Sequence, residues 1–166
     1  MIAKLTSRRL AAALVVLLLG APASPIPVVQ AAGPVGGYES DDASDENKEL
    51  AKAIKLIGLG SYASAIPLLE KAIAANPRNP DAFSLMGFSH RKLGRRNRAL
   101  DYYLKALELE PEHLGANEYL GELYLETSDL ARAQERLQVL EQACGTKCDE
   151  YLELKAAIAD FAGETR

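Results

Sequence analysis

The chain has 166 residues, with 19 Lys and Arg against 23 Asp and Glu, a formal net charge of −4, and 48% hydrophobic residues. That balance suits one globular domain and excludes disordered, fibrous and nucleic-acid-binding classes. With two Cys, two His and no Trp, the chain is short of the roughly four clustered ligands that a closed metal site needs.

The first element is N-terminal. Lys4, Arg8 and Arg9 precede an apolar run from Ala11 to Leu19, and Pro and small residues follow. A basic head, a short apolar run and small residues at a cut site form the layout of a secretory signal peptide. The run falls short of the about twenty apolar residues that span a bilayer. The expected signal peptide is residues 1–31, cut after Ala31; a cut after Ala23 and retention as an anchor stay open. "SRRL" lacks the hydrophobic pair and Lys of a twin-arginine signal, and no Cys near the cut site offers lipid attachment. The protein is therefore expected in the periplasm of a Gram-negative bacterium, without membrane insertion after cleavage. Removing Lys4, Arg8 and Arg9 and no acid takes the charge from −4 to −7.

Residues 32–44 include "GPVGGYESDDAS", which has no apolar periodicity and reads as a flexible acidic linker. Beyond it the chain matches itself at a shift of 34. Ala65, Ala99 and Ala133 coincide, as do Gly60, Gly94 and Ser128, and Leu69, Tyr103 and Leu137. Ala72, Ala106 and Leu140 align, and so do Pro77, Pro111 and Gly145; Met86 and Gly87 match Leu120 and Gly121. Such a period, with small residues at fixed offsets, marks stacked two-helix units.

On these residues the chain resembles the tetratricopeptide-repeat family, most clearly at Phe83, Met86, Gly87, Gly94, Ala99, Tyr103, Ala106 and Pro111. The resemblance implies an all-α, right-handed α-solenoid of three helix-turn-helix repeats, at about 46–79, 80–113 and 114–145. The domain is expected over 45–162. Gly87 and Ala99 would sit where helices cross, with Phe83, Met86, Leu100, Tyr103 and Leu107 filling the remaining space. Asn79 with Pro80, and Ser128 with Asp129, are expected helix starts. Lys52 and Ala53 replace the Met86–Gly87 pair in the first repeat, so its first helix is expected to pack more loosely, as a terminal unit can.

After Gly145, Thr146 and Asp149 stand at capping-box spacing. Tyr151, Leu152, Leu154, Ala157, Ile158 and Phe161 recur at helical spacing. A seventh, capping helix is expected over 147–162. Cys144 and Cys148 frame the corner before it. A thioredoxin-like redox pair would need C-x-x-C beside βαβ structure, and metal would need more ligands. An exported chain with two Cys four apart across a turn points to a disulfide that staples the corner.

No set of residues arranges itself for catalysis, and the chain is expected to be neither an enzyme nor a cofactor binder. "GLGSY" has no strand before it, His113 falls in a polar turn, and His90 reads as a buried, satisfied core histidine. Arg91, Lys92, Arg95, Arg96 and Arg98 form a basic cluster: a solvated turn, a patch for an acidic partner, or a dock for the chain's own Glu39, Asp41, Asp42, Asp45 and Glu46.

What the resemblance implies about function is a groove lined by the first helices of the repeats. Its positions are Leu50, Ile54 and Ile57; Ser84, Phe88 and Arg91; and Glu118, Glu122 and Leu125. That groove would run from apolar through basic to acidic and suit a protein or peptide partner. Leu50, Ile54 and Leu85 stand where one subfamily clamps a C-terminal carboxylate, so that clamp is absent. The expected role is an adaptor or assembly factor in the periplasm or cell envelope. A thiol–disulfide protein using Cys144 and Cys148, and a self-associating structural protein, are the alternatives.

Overall fold

The computed structural model describes residues 41–164, with side chains over 47–163. The expected signal peptide (1–31) and residues 32–40 of the expected linker lie outside the described residues. Among the described residues the regular structure is seven helices: α1 Asp41–Gly58, α2 Tyr62–Ala75, α3 Pro80–Lys92, α4 Arg96–Leu109, α5 Leu114–Glu126, α6 Leu130–Cys144 and α7 Asp149–Glu164. The last four residues of the expected linker, 41–44, are thus helical. Acidic residues suit a helix's first turn as well as a linker, so composition alone does not separate the two. Asp41, Asp42, Asp45 and Glu46 belong to this helix.

The helix ends follow local chemistry. The Asn79 side chain accepts from the Ala82 N–H at 3.0 Å, with Pro80 opening α3. Asp129 does the same for the Arg132 N–H at 3.1 Å. At α5 the cap is His113, whose Nδ1 accepts from the Ala116 N–H at 3.1 Å. The α7 helix starts at Asp149, two residues beyond expectation, and the Cys148 carbonyl accepts its first helical bond from Leu152 at 3.1 Å. Thr146 lies ahead of that turn, so the expected capping box is not built.

The turns inside the three pairs share one backbone conformation. Gly60, Gly94 and Ser128, spaced by 34 in the sequence, have φ of 71°, 72° and 60°. Ser128 therefore bears the cost of a left-handed residue with a Cβ, about 1–2 kcal/mol. Gly145, where the earlier repeats have Pro, has φ of 80°, a conformation that the proline ring forbids.

Helices α1 and α2, α3 and α4, and α5 and α6 pack as pairs, and α7 closes the stack against α5 and α6. The first helices α1, α3, α5 and α7 follow one another along one face. The core repeats the same plan in each layer. Ala65, Ala99 and Ala133 are fully buried, and so are Leu69 and Tyr103. Burying each large apolar side chain contributes about 1.5–3 kcal/mol. Met86 shares one cluster with Ala53, Ala65 and Leu69, while Tyr103, Leu120, Leu140 and Leu154 centre the largest.

Two glycines set the spacing. A Cβ on Gly87 would lie 2.6 Å from two ring carbons of Tyr103, and one on Gly121 would lie 2.5 Å from Leu154 Cδ2. As expected, α1 is the least buried first helix of the three pairs: among its described side chains only Ala53 is buried, against eight residues on α3 and eight on α5. Ala53, at the Gly87 position, is fully buried in the cluster that holds Leu69, because a methyl fits beside leucine where it would strike a tyrosine ring.

Candidate functional site

A cleft of about 620 Å³ lies along the face formed by α1, α3, α5 and α7. Leu50 and Ile54 come from α1, Leu85 from α3, and Leu114 and Tyr119 from α5. Asp81, Glu110 and Glu150 supply carboxylates to its lining. Ile54 is half exposed, at 51%, so apolar surface remains open to solvent here. A second cleft of about 480 Å³ brings together Arg91, Glu122, Leu125, Glu126, Asp160 and Phe161 from the far ends of α3, α5 and α7.

Of the residues that the sequence nominated, Leu50, Ile54 and Ser84 line the first cleft. Arg91, Glu122 and Leu125 line the second. Ile57 packs into the core between α1 and α2. Phe88 is half-buried, its ring edge-on to Tyr62 at 5.9 Å and tilted against Tyr119 at 4.7 Å. It joins an aromatic row from the first pair to α5, and the Lys92 ammonium stands 5.0 Å from its ring centre.

Arg91 is not an open cation. Its side chain is 5% exposed. Nη1 donates to Glu126 Oε1 at 3.0 Å, and Nη2 donates to Glu122. Arg96 reaches the same Glu126 at 3.1 Å. The basic middle expected of the groove is therefore neutralised inside the protein, by acids one helix away that a linear reading treats as a separate stretch.

Glu118 is also buried, at 4% exposure. Burial pushes its pKa up to about 8, helped by a hydrogen bond and charge from Glu153 and by the charges of Glu122 and Glu150. At neutral pH its carboxyl holds a proton. Tyr119 is driven up to about 12, by burial first and then by Glu118, Glu122 and Glu153. Negative charge thus accumulates where α5 meets α7.

Several contributors carried no sequence signal. His113 both caps α5 and meets Asp81 at the start of α3, with Nε2 3.0 Å from Oδ1. Because Nδ1 accepts from Ala116, Nε2 carries the proton and donates to Asp81. Asn117, fully buried, donates to the Pro111 and His113 carbonyls and accepts from Arg136. Glu150 comes from α7, which the sequence shows only as a cap. His90 is buried as expected and stacks on Tyr102 at 5.3 Å, but its Nδ1 finds no hydrogen-bond partner. Burial, then Arg95 and Arg98, lower its pKa below 6.5, with Glu70 opposing.

Cys144 and Cys148 lie at disulfide distance, with Cα atoms 6.0 Å apart. Glu150 brings a carboxylate close to both sulfurs. Two sulfurs joined to each other offer no thiolate, so this trio is a corner of the fold and not a ligand set.

Residues 59–143, just over half of the chain, match the family model described as anaphase-promoting complex, cyclosome, subunit 3, a tetratricopeptide-type family. The chain belongs to this tetratricopeptide-repeat family. It is 31% identical over 90 residues to the TPR repeat-containing thioredoxin TTL4 of Arabidopsis thaliana, and those residues are 54% of this chain and 13% of that relative. The chain thus spans only a small part of the length of that relative.

Solved tetratricopeptide-repeat structures superpose on most of it. A thermophilic tetratricopeptide-repeat protein of Thermus thermophilus, TTC0263, matches with a TM-score of 0.66 and 25% identity, over 72% of this chain and 66% of that one. The Yersinia enterocolitica type III secretion chaperone SycD, in complex with a peptide of the translocator YopD, matches with a TM-score of 0.61 and 14% identity. The match covers 72% of this chain and 94% of that one. At that identity the likeness to SycD concerns the fold.

Proposed function

We propose that this tetratricopeptide-repeat protein is an interaction module that takes a segment of a partner protein on its α1–α3–α5–α7 face. The observation that carries this reading is the open, partly apolar cleft to which four successive elements contribute. Apolar side chains left half exposed beside fixed polar groups suit an extended or helical segment. SycD, a protein of similar fold, is known in complex with a peptide. The supporting chemistry is that of recognition, and no catalytic role is assigned.

Its place of work is read from the sequence. The basic head and apolar run of residues 4–19 support export, and the close Cys144–Cys148 pair suits an oxidising compartment. An adaptor or assembly factor in the periplasm or cell envelope follows from these together. Fractionation with N-terminal sequencing tests the location: a soluble envelope fraction beginning at Ala32 is expected, and a cytoplasmic chain with an intact start would overturn it.

The cleft is tested by photo-crosslinking in cells. A photoreactive residue at Ile54, in the cleft, is compared with one at Leu104, exposed on α4. A specific adduct from position 54 and none from position 104 is expected. Adducts from position 104 alone, or the same adducts from both, would move the binding surface elsewhere.

A further inference from the structure

We propose that the cleft selects a cationic segment, in which Lys or Arg flank one large apolar side chain; this rests on the reading of that face as the binding face. The apolar half of the pairing comes from Ile54, Leu85 and Leu114, which leave room for an anchor side chain. The charged half comes from the rest of the lining.

Among the described residues, the carboxylates of Asp81, Glu110 and Glu150 line the first cleft, and neither Lys nor Arg does. The partner of Asp81 is His113, which donates from Nε2 while its Nδ1 accepts from the Ala116 N–H. Among the described residues, the one cation of the second cleft is Arg91, already held by Glu122 and Glu126. Lys92, over the Phe88 ring, lines neither cleft.

Glu118 is pushed toward its protonated form first by burial and then by a hydrogen bond and charge from Glu153 and the charges of Glu122 and Glu150. A partner's ammonium or guanidinium would offset those charges. An acidic segment would meet repulsion along the same path, since like charges across an interface suppress wrong partners. The exposed arginines Arg95 and Arg98 belong to the turn before α4 and its first residues, outside the first cleft, and do not offset its carboxylates.

The test is selection from a displayed library of random peptides about ten residues long, enough to span about 35 Å when extended. The baits are the full wild-type chain, the full chain with Glu110→Lys and Glu150→Lys, and the full chain with Glu110→Gln and Glu150→Gln. The Gln pair keeps shape while removing charge, which guards against a misfolded Lys variant. The wild type is expected to enrich peptides with Lys or Arg around a Leu, Ile or Phe. The best of them, labelled and titrated by fluorescence anisotropy, should bind the Lys variant at least about tenfold more weakly. The Gln variant should fall between, and rising salt should weaken wild-type binding.

Enrichment of neutral or acidic peptides that still lose affinity when Leu85→Arg blocks the cleft would overturn the cationic preference and leave the binding face standing. Cationic peptides indifferent to all three variants would overturn the preference and the face together. No enrichment over an empty support would overturn the preference as well.

Discussion

The Arg91 guanidinium of α3 crosses to α5 and donates to Glu126 at 3.0 Å, with Glu122 on its other branch. One buried cation thereby joins two successive repeats and gives up its charge to the interior of the protein. Truncating Arg91 to Ala would leave two carboxylates side by side without their counter-ion. Breaking a buried pair from one side costs about 3–5 kcal/mol. Here the two glutamates keep some exposure, at 29% and 34%, so water relieves part of the penalty and about 2–3 kcal/mol is expected in urea denaturation. Arg91→Ala combined with Glu126→Gln should cost less than the sum of the singles. An additive pair would show that the ion pair contributes nothing.

A second prediction concerns Gly121. Its missing Cβ leaves the space that Leu154 of α7 fills, at 2.5 Å from where a methyl would stand. Leu154 is fully buried and belongs to the largest core cluster. Gly121→Ala should therefore cost about 1–3 kcal/mol through overpacking, and amide exchange should speed up in 149–164 before it does elsewhere. Adding Leu154→Ala removes the clashing methyls, so the double variant should be less destabilised than the two singles summed. Simple additivity would refute the contact.

How much of this was legible depends on whether the interaction is local or between layers. The period of 34 was legible because each copy solves the same local problem: Ala65, Ala99 and Ala133 at buried crossings, and Gly60, Gly94 and Ser128 at left-handed turns. The shift also shows Gly121 to be a tight position, but not that its neighbour would be Leu154 of the capping helix instead of a residue of its own repeat. Likewise Arg91 and Glu126 stand 35 residues apart, and nothing in either stretch announces that one neutralises the other. The apolar part of the cleft was half visible, in Leu50 and Ile54. Its acidic lining was not, because Asp81, Glu110 and Glu150 come from three helices or turns that only stacking brings together. His113 was invisible as a cap because imidazole is an uncommon one and its partner Asp81 stands 32 residues earlier, at the start of α3.

Glu118 makes stability depend on pH. Its pKa is about 8 in the folded chain against an ordinary 4.5, so the folded state holds a proton that the unfolded state releases. Stability is then greatest below 4.5, falls as pH rises through the window between those values, and levels off above about 8. The loss is on the order of a few kcal/mol, at about 1.4 kcal/mol per unit. His90 acts with the opposite sign: its lowered pKa costs stability only as pH falls below about 6.5. Denaturation between about pH 7 and pH 9 therefore isolates Glu118. Glu118→Gln, which keeps the shape and cannot ionise, should flatten the curve and exceed wild-type stability at pH 8. A wild-type curve already flat in that range would show that Glu118 does not hold the proton.

The Cys144–Cys148 pair gives the last prediction. It closes a small loop between the end of α6 and the first turn of α7, where the Cys148 carbonyl starts the helix. Cross-linking so short a loop contributes about 2 kcal/mol in the chain-entropy model. The core that holds α7 has Tyr151 and Leu154 buried against α5 and α6, with Cys148 packed only at its edge. Reduction, or Cys144→Ser with Cys148→Ser, should thus lower the melting temperature while leaving the helical circular dichroism intact. Faster amide exchange should be confined to about 145–152, and Glu150 lies inside that stretch, so the acidic lining of the cleft would loosen with it. A cationic peptide should then bind the reduced protein more weakly, with its dissociation faster and its association little changed. If reduction instead unfolds the whole domain, the corner is holding the stack together; if it leaves both exchange and peptide binding untouched, the disulfide neither steadies α7 nor positions Glu150.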